Sequence, residues 1–250
     1  MTEALLSFHS VTKSYGTIRA LEDVSFSIKR GEVVALVGDN GAGKSTFVKV
    51  LSGTVAPDSA VMEFEGKTIH LDSPLAAVDL GIATVYQDLA VCSNLDVVAN
   101  LFLGRERHRG SILNELEMEQ ETSQLLAELS VHPRSLRVPI SSLSGGQRQS
   151  VAIARCLLGN PKLVILDEPT AALGVAQKAQ VIDLIRRLQA RGLAVVLISH
   201  NLAEVFAVAD RIEVLRLGRN GGSFPGDEQY QDEVVAAITG TQLSTPKEVA

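Results

Sequence analysis

The sequence predicts an α/β protein built on a parallel sheet, and three observations carry that reading. Short apolar runs at 33–37, 163–166 and 193–198 alternate with longer helical stretches, as strands do when crossover helices separate them. A glycine-rich loop joins the first run to a helical pattern that opens at Ser45. The run at 163–166 ends in two carboxylates, Asp167 and Glu168, and in open parallel sheets ligands gather at the carboxyl ends of strands.

In chain order, residues 5–37 hold β-rich segments broken by Gly16 and by Lys29-Arg30-Gly31-Glu32, read as strands joined by turns at the sheet edge before the loop. A strand pair at 61–65 and 68–71 turns at Gly66-Lys67, a helix starts at Ser73, and a strand follows at 82–86. From 95 to 158 the character is helical, an insertion into the α/β pattern. Within it Leu116, Gln120, Leu125, Leu126 and Leu129 mark an amphipathic helix that His132-Pro133 ends. Helices are expected over 175–191 and from Asn201, with a strand at 211–215. Residues 218–228, with four glycines and Pro225, read as a loop before a short helix at 233–238.

The 250 residues are 46% hydrophobic and 21% charged, which suits one folding unit and excludes extensive disorder. Apolar runs are too short to cross a bilayer, and Met1-Thr2-Glu3-Ala4-Leu5 lacks a secretory signal, so a cytoplasmic location is expected. Cys92 and Cys156 have no metal-ligand spacing and read as reduced thiols. The net charge of −6 argues against a nucleic-acid partner, and Arg105, Arg107, His108 and Arg109 read as a solvated loop.

The loop at 38–46 reads Gly38-Asp39-Asn40-Gly41-Ala42-Gly43-Lys44-Ser45-Thr46, which fills the phosphate-loop pattern G-x-x-x-x-G-K-[ST]. Glycines let the backbone approach an anion closely, so that consecutive N–H groups and the positive helix end surround it. Lys44 would reach the β- and γ-phosphates, and the Ser45 hydroxyl would ligate Mg²⁺. Asp167 would orient the Mg²⁺ shell, and Glu168 would take a proton from the attacking water. Without the loop, the same two carboxylates would read as a solvated strand end. Ser144 fits the N-cap of a helix opening at Gly145-Gly146-Gln147, whose glycines would leave the first N–H groups exposed as a second anion-binding end.

Gly38 to Thr46, Leu143 to Gln147 and Leu166-Asp167-Glu168-Pro169-Thr170, in that order, resemble the nucleotide-binding domain of ABC transporters, over about residues 5 to 217. The resemblance implies a phosphate-loop NTPase with a RecA-like core and antiparallel β subdomain (5–87 and 161–217), a helical subdomain (88–160) and a C-terminal loop and helix (218–250). It further implies that Tyr15 stacks on adenine, that Gln87 touches Mg²⁺ or water, and that His200 hydrogen-bonds the γ-phosphate. Two domains would dimerise head to tail, with Ser144, Gly145, Gly146 and Gln147 of one closing on ATP held by the other. Implied partners are therefore a second ATPase subunit, an integral membrane permease at the cytoplasmic face and, indirectly, an extracytoplasmic sugar-binding protein. The stretches Tyr86 to Ala90, Asn100 to Glu106, Ser199-His200-Asn201 and Arg216 to Arg219 look like the monosaccharide importers of the ribose, xylose and fructose type. An ABC ATPase of DNA repair or of the ribosome is the alternative; no sustained heptads lie between Lys44 and Ser144. Gly174 departs from the family pattern, where the loop after the carboxylate strand commonly ends in Asp.

Overall fold

The computed structural model describes residues 4–131 and 133–241. Ala4–Tyr15 (β1) and Ile18–Lys29 (β2) form an antiparallel pair. Val33–Val37 (β3) leads through the glycine loop into Lys44–Leu51 (α1). Ser59–Phe64 (β4) and Lys67–Thr68 (β5) then complete a four-stranded antiparallel sheet in the order β2-β1-β4-β5. The first two strands therefore lie in a sheet of their own, rather than at the edge of the sheet that holds the loop. Burial patterns explain the division: β2 alternates buried and exposed residues along its second half, as a one-faced sheet requires, whereas all five residues of β3 are buried. Phe8 and Phe26 of the antiparallel sheet both meet Phe47 of α1 edge-on, at 6.1 and 5.4 Å between ring centroids.

Ser73 caps Pro74–Leu80 (α2), and Ile82–Val85 (β6) follows. The inserted stretch contains Val97–Phe102 (α3), a small hairpin of His108–Arg109 (β7) and Ile112–Leu113 (β8), then Glu115–Glu128 (α4) and Gly145–Leu157 (α5). Of the expected solvated loop, His108 and Arg109 enter the hairpin and, like Arg105, stay exposed, while Arg107 makes a bidentate ion pair with Glu121 at 3.0 and 2.8 Å. In α4 the buried stripe is Met118, Thr122, Leu125 and Leu126, with Leu129 just beyond, while Leu116 is 68% exposed and Gln120 is exposed. The apolar face is thus rotated away from two of the residues that predicted it. His132 lies outside the described residues.

Leu163–Asp167 (β9), Val175–Ala190 (α6), Ala194–Ile198 (β10), Leu202–Val208 (α7) and Arg211–Arg216 (β11) complete the α/β pattern. Arg219–Pro225 (β12) is a strand antiparallel to β11, where a loop was expected. Its glycines carry no apolar signal; backbone pairing to an open sheet edge supplies the structure that side chains do not announce. Gln231–Thr239 (α8) ends the described chain and packs Val234 against β11 residues. The core sheet runs β12-β11-β3-β10-β9-β6, parallel except for β12. One face of it packs on α1 and the antiparallel sheet. The other packs on α6 and the inserted helices, so that Val164 and Leu197 share one apolar cluster with Leu101, Ile153 and Ile185.

Candidate nucleotide site

Two glycines of the loop sit where no side chain fits. A Cβ at Gly38, φ +151°, would sit 2.2 Å from the Leu215 carbonyl oxygen. One at Gly43, φ +105°, would sit 2.7 Å from the Ala20 carbonyl. The loop is thereby wedged between the end of β11 and the start of β2. Lys44 folds back over it, its Nζ donating to the carbonyls of Gly38 at 2.6 Å and Asp39 at 3.0 Å. Burial pulls the Lys44 ammonium below its ordinary pKa, against the opposing pull of Glu168, Asp39 and Asp167.

Parallel pairing of β9 with β10 brings Asp167 level with Ile198, so the chain ends beyond them are neighbours. Glu168 takes a left-handed φ of +50°, uncommon for a residue with a side chain, and its N–H donates to the Ile198 carbonyl at 3.0 Å. This turn aims the Glu168 carboxylate at His200, whose Nδ1 lies 2.7 Å from Oε2. Burial first and the Glu168 charge second push the Asp167 carboxyl up, with Lys44 opposing.

A single cavity is lined by Asp39 to Thr46, Gln87, Asp167, Glu168 and His200. Asn40, Gly41, Gly43, Lys44, Ser45 and Thr46 thus share one space with the carboxylates, and Gly38 closes its neighbour cleft with Ser199 and Leu202. Ile18, Arg19 and Ala20 also line the cavity and were missed in the sequence. The hairpin signal at Gly16 would have found them, because Tyr15 pairs with Ile18 across that turn. Tyr15 itself is 46% exposed, outside the cavity lining, with the Lys13 ammonium 5.7 Å from its ring centroid.

Ser144, Gly145, Gly146 and Gln147 lie outside this cavity. Ser144 caps α5 reciprocally: its Oγ accepts from the Gln147 N–H at 3.3 Å, and its own N–H donates to Gln147 Oε1 at 3.0 Å. The glycines do not simply leave the first amides open. Gly146 is buried against α6, where a Cβ would come within 3.1 Å of Gln177 Cβ, and one at Gly145 within 2.9 Å of Leu173 Cδ2. Close packing of two helix starts favours glycine at 146, whereas the contact at 145 is with the end of a flexible side chain.

Beside Gln87 runs an apolar groove between β6 and α5, walled by Val85, Tyr86, Leu89, Leu103 and Ala152, with Arg155 and Cys156 at its base. Arg155 spans it to donate to the Ala90 carbonyl at 2.9 Å. Among the described residues no helix is long and apolar enough to cross a membrane.

A family profile described as ABC transporter matches residues 21–171. The chain is 43% identical over 239 residues to the xylose/arabinose import ATP-binding protein XylG of Sulfolobus acidocaldarius, covering 96% of this chain and 95% of that one. It is 42% identical over 248 residues to the fructose import ATP-binding protein FrcA of Rhizobium meliloti, again covering 96% and 95%. Among solved structures it is similar to the ADP conformation of MJ1267, an ATP-binding cassette of an ABC transporter, with a TM-score of 0.82, 27% identity and coverage of 96% and 100%. It is also similar to the dimeric structure of MJ0796, a bacterial ABC transporter cassette, with a TM-score of 0.75, 27% identity and coverage of 88% and 98%. Sequence and fold agree along nearly the whole length, and the chain belongs to the ABC transporter family, as one of its ATP-hydrolysing cassettes.

Proposed function

We propose that this chain energises import of a monosaccharide through a membrane permease, by binding and hydrolysing ATP between two cassettes. The observation that supports it is the split arrangement of the site. One cavity gathers the phosphate loop, Gln87, Asp167, Glu168 and His200, while the Ser144 to Gln147 helix end faces elsewhere. A second copy placed head to tail would present that helix end to the phosphate loop. The solute class follows relatives named for import of xylose, arabinose and fructose.

Loop amides and Lys44 bind the phosphates, the ammonium exchanging its loop carbonyls for phosphate oxygens. Ser45, Asp167 and Gln87 would hold Mg²⁺. Their donor set of hydroxyl, carboxylate and amide oxygens fits a hard cation that keeps several waters and needs only one or two carboxylates. When bound, the cation neutralises charge on the phosphates. Glu168 accepts the proton of the attacking water, and the His200 contact holds its carboxylate in one orientation. Tyr15 would stack on the adenine from the turn beside the cavity, next to Ile18, which is exposed and lines it.

The permease would dock in the groove beside Gln87, whose walls belong to both β6 and the inserted helices. Entry of nucleotide at Gln87 and movement of a permease segment there would then be mechanically linked. The test is co-purification from native membranes followed by cysteine crosslinking. Crosslinks from positions 87–100 to a permease, beside a sugar-binding protein, support the reading; crosslinks confined to another face refute it.

A further inference from the structure

Glu204 ties together three segments of the site without lining its cavity. It lies in the first turn of α7 and is 9% exposed. Its Oε1 accepts from Asn201 Nδ2 at 2.8 Å and meets Lys178 Nζ at 2.9 Å, and its Oε2 accepts from the Thr170 hydroxyl. Thr170 is 5% exposed and follows Glu168 by two residues; Asn201 is the residue after His200. Lys178 stands in the first turn of α6, just past the segment Ala171 to Gly174 that leads out of the carboxylate strand. One nearly buried carboxylate therefore receives two neutral donors and one ammonium, each from a different piece of backbone.

Burying a carboxylate is costly, and a helix start has cheaper ways to be capped: Asn201 already caps α7 through its own side-chain oxygen, which accepts from the Ala203 N–H at 3.2 Å. The Glu204 network therefore does more than begin a helix. It links the segments that follow the two strand exits through one side chain. At the same exits Glu168 and His200 make their direct 2.7 Å contact, with the His200 side chain 72% exposed and that of Glu168 15% exposed. With one partner in solvent, that contact can orient the Glu168 carboxylate but does little to hold the two backbone segments that carry it.

We propose that Glu204 is a positioning residue for ATP hydrolysis: by holding Thr170 and Asn201 it keeps Glu168 and His200 in register while nucleotide enters and leaves. This rests on the assignment of Glu168 as general base above. Gly174 offers no carboxylate to the segment after the base, and the Thr170–Glu204–Lys178 link restrains both ends of that segment from within the chain.

The experiment compares Glu204→Gln, Thr170→Val, Thr170→Ser and Glu168→Gln in the 250-residue chain, by steady-state ATPase, equilibrium binding of a fluorescent ATP analogue and thermal melts. Misplacing a reacting group costs rate more than ground-state binding. Glu204→Gln and Thr170→Val are expected to lower kcat about 10-fold or more, with KM and nucleotide affinity within about threefold of wild type. Thr170→Ser keeps the hydroxyl and is expected to restore kcat to within about threefold. Wild-type kcat in folded Glu204→Gln and Thr170→Val overturns the proposal, as does a loss of affinity that parallels the loss of rate. If Glu168→Gln also turns over like wild type, the assignment of the base falls with it; if Glu168→Gln is inactive while Glu204→Gln is not, the positioning role alone is refuted.

Discussion

His200 Nδ1 lies 2.7 Å from Glu168 Oε2, a contact that joins the exits of two adjacent parallel strands, β10 and β9. Each residue by itself is an ordinary strand-end polar group. Joined, they line one cavity with the phosphate loop, as the proposed base and its orienting partner would.

Glu168→Gln keeps the shape of that side chain and removes its basicity. Turnover is expected to fall about 10²- to 10⁴-fold while ATP stays bound, and the chain is expected to accumulate as an ATP-dependent dimer. Single-turnover kinetics and size-exclusion chromatography check both; full turnover without dimerisation contradicts the role.

Lys44→Ala removes the ammonium that closes over the loop. Charge-assisted bonds of about 1.5–3 kcal/mol imply that ATP affinity falls roughly 10- to 150-fold. Equilibrium binding of a fluorescent ATP analogue measures this, and unchanged affinity or ATPase activity excludes Lys44 as a phosphate ligand.

Asp167→Asn is expected to stabilise the nucleotide-free chain and to weaken Mg²⁺-dependent ATP binding. Burial and Glu168 hold the Asp167 carboxyl above the usual range, so the folded state keeps this proton to higher pH than the unfolded chain. Its contribution is most favourable below the unfolded pKa and is lost as pH rises through the folded one, which leaves a cost at neutral pH. A melt near pH 7.5 should show Tm raised by about 1–4 °C, with the gain shrinking toward pH 4. A lowered Tm at neutral pH speaks against the electrostatic account.

Gly146→Ala places a methyl within 3.1 Å of Gln177 Cβ, so α6 or its side chains must give by a few tenths of an ångström. Overpacking of this kind costs about 1–3 kcal/mol, measurable by urea unfolding. Wild-type stability would mean that the glycine serves ligand approach alone.

Burial pushes the Cys156 thiol up to about 11 from 9.0. Below pH 9 the neutral thiol is the stable form in both states; as pH rises from about 9 to 11 the unfolded chain ionises first and the folded state loses that advantage. Iodoacetamide at pH 8 is expected to label Cys156 slowly in the folded chain, where little of it is thiolate, and faster once urea unfolds it, read by mass spectrometry. Rapid labelling of the folded chain would show a more accessible sulfur.

Much of the site was legible because it rests on local backbone chemistry. Gly38 to Thr46 announce themselves by spacing, since the phosphate cradle is made by consecutive amides of one short segment. Val33–Val37 and Ala194–Ile198 are readable because strands buried on both faces are apolar without interruption. Arg219–Pro225 was not, because its strand is held by main-chain pairing to β11 and its side chains hold no pattern. Leu116 misled for a related reason: an apolar residue on a helix does not say which face has neighbours to bury it.

The sequence by itself determined that the chain is an ATP-binding cassette, with Lys44, Ser45, Asp167 and Glu168 in recognisable settings, because these roles depend on residue type and short spacing. Only the tertiary structure decided which distant groups meet. Glu168 reaches His200, Gly146 admits Gln177, and Glu204 gathers Thr170 and Lys178. Those contacts arise from the order in which parallel strands and their crossover helices pack side by side, and contacts between residues far apart in the chain leave no periodic mark along it.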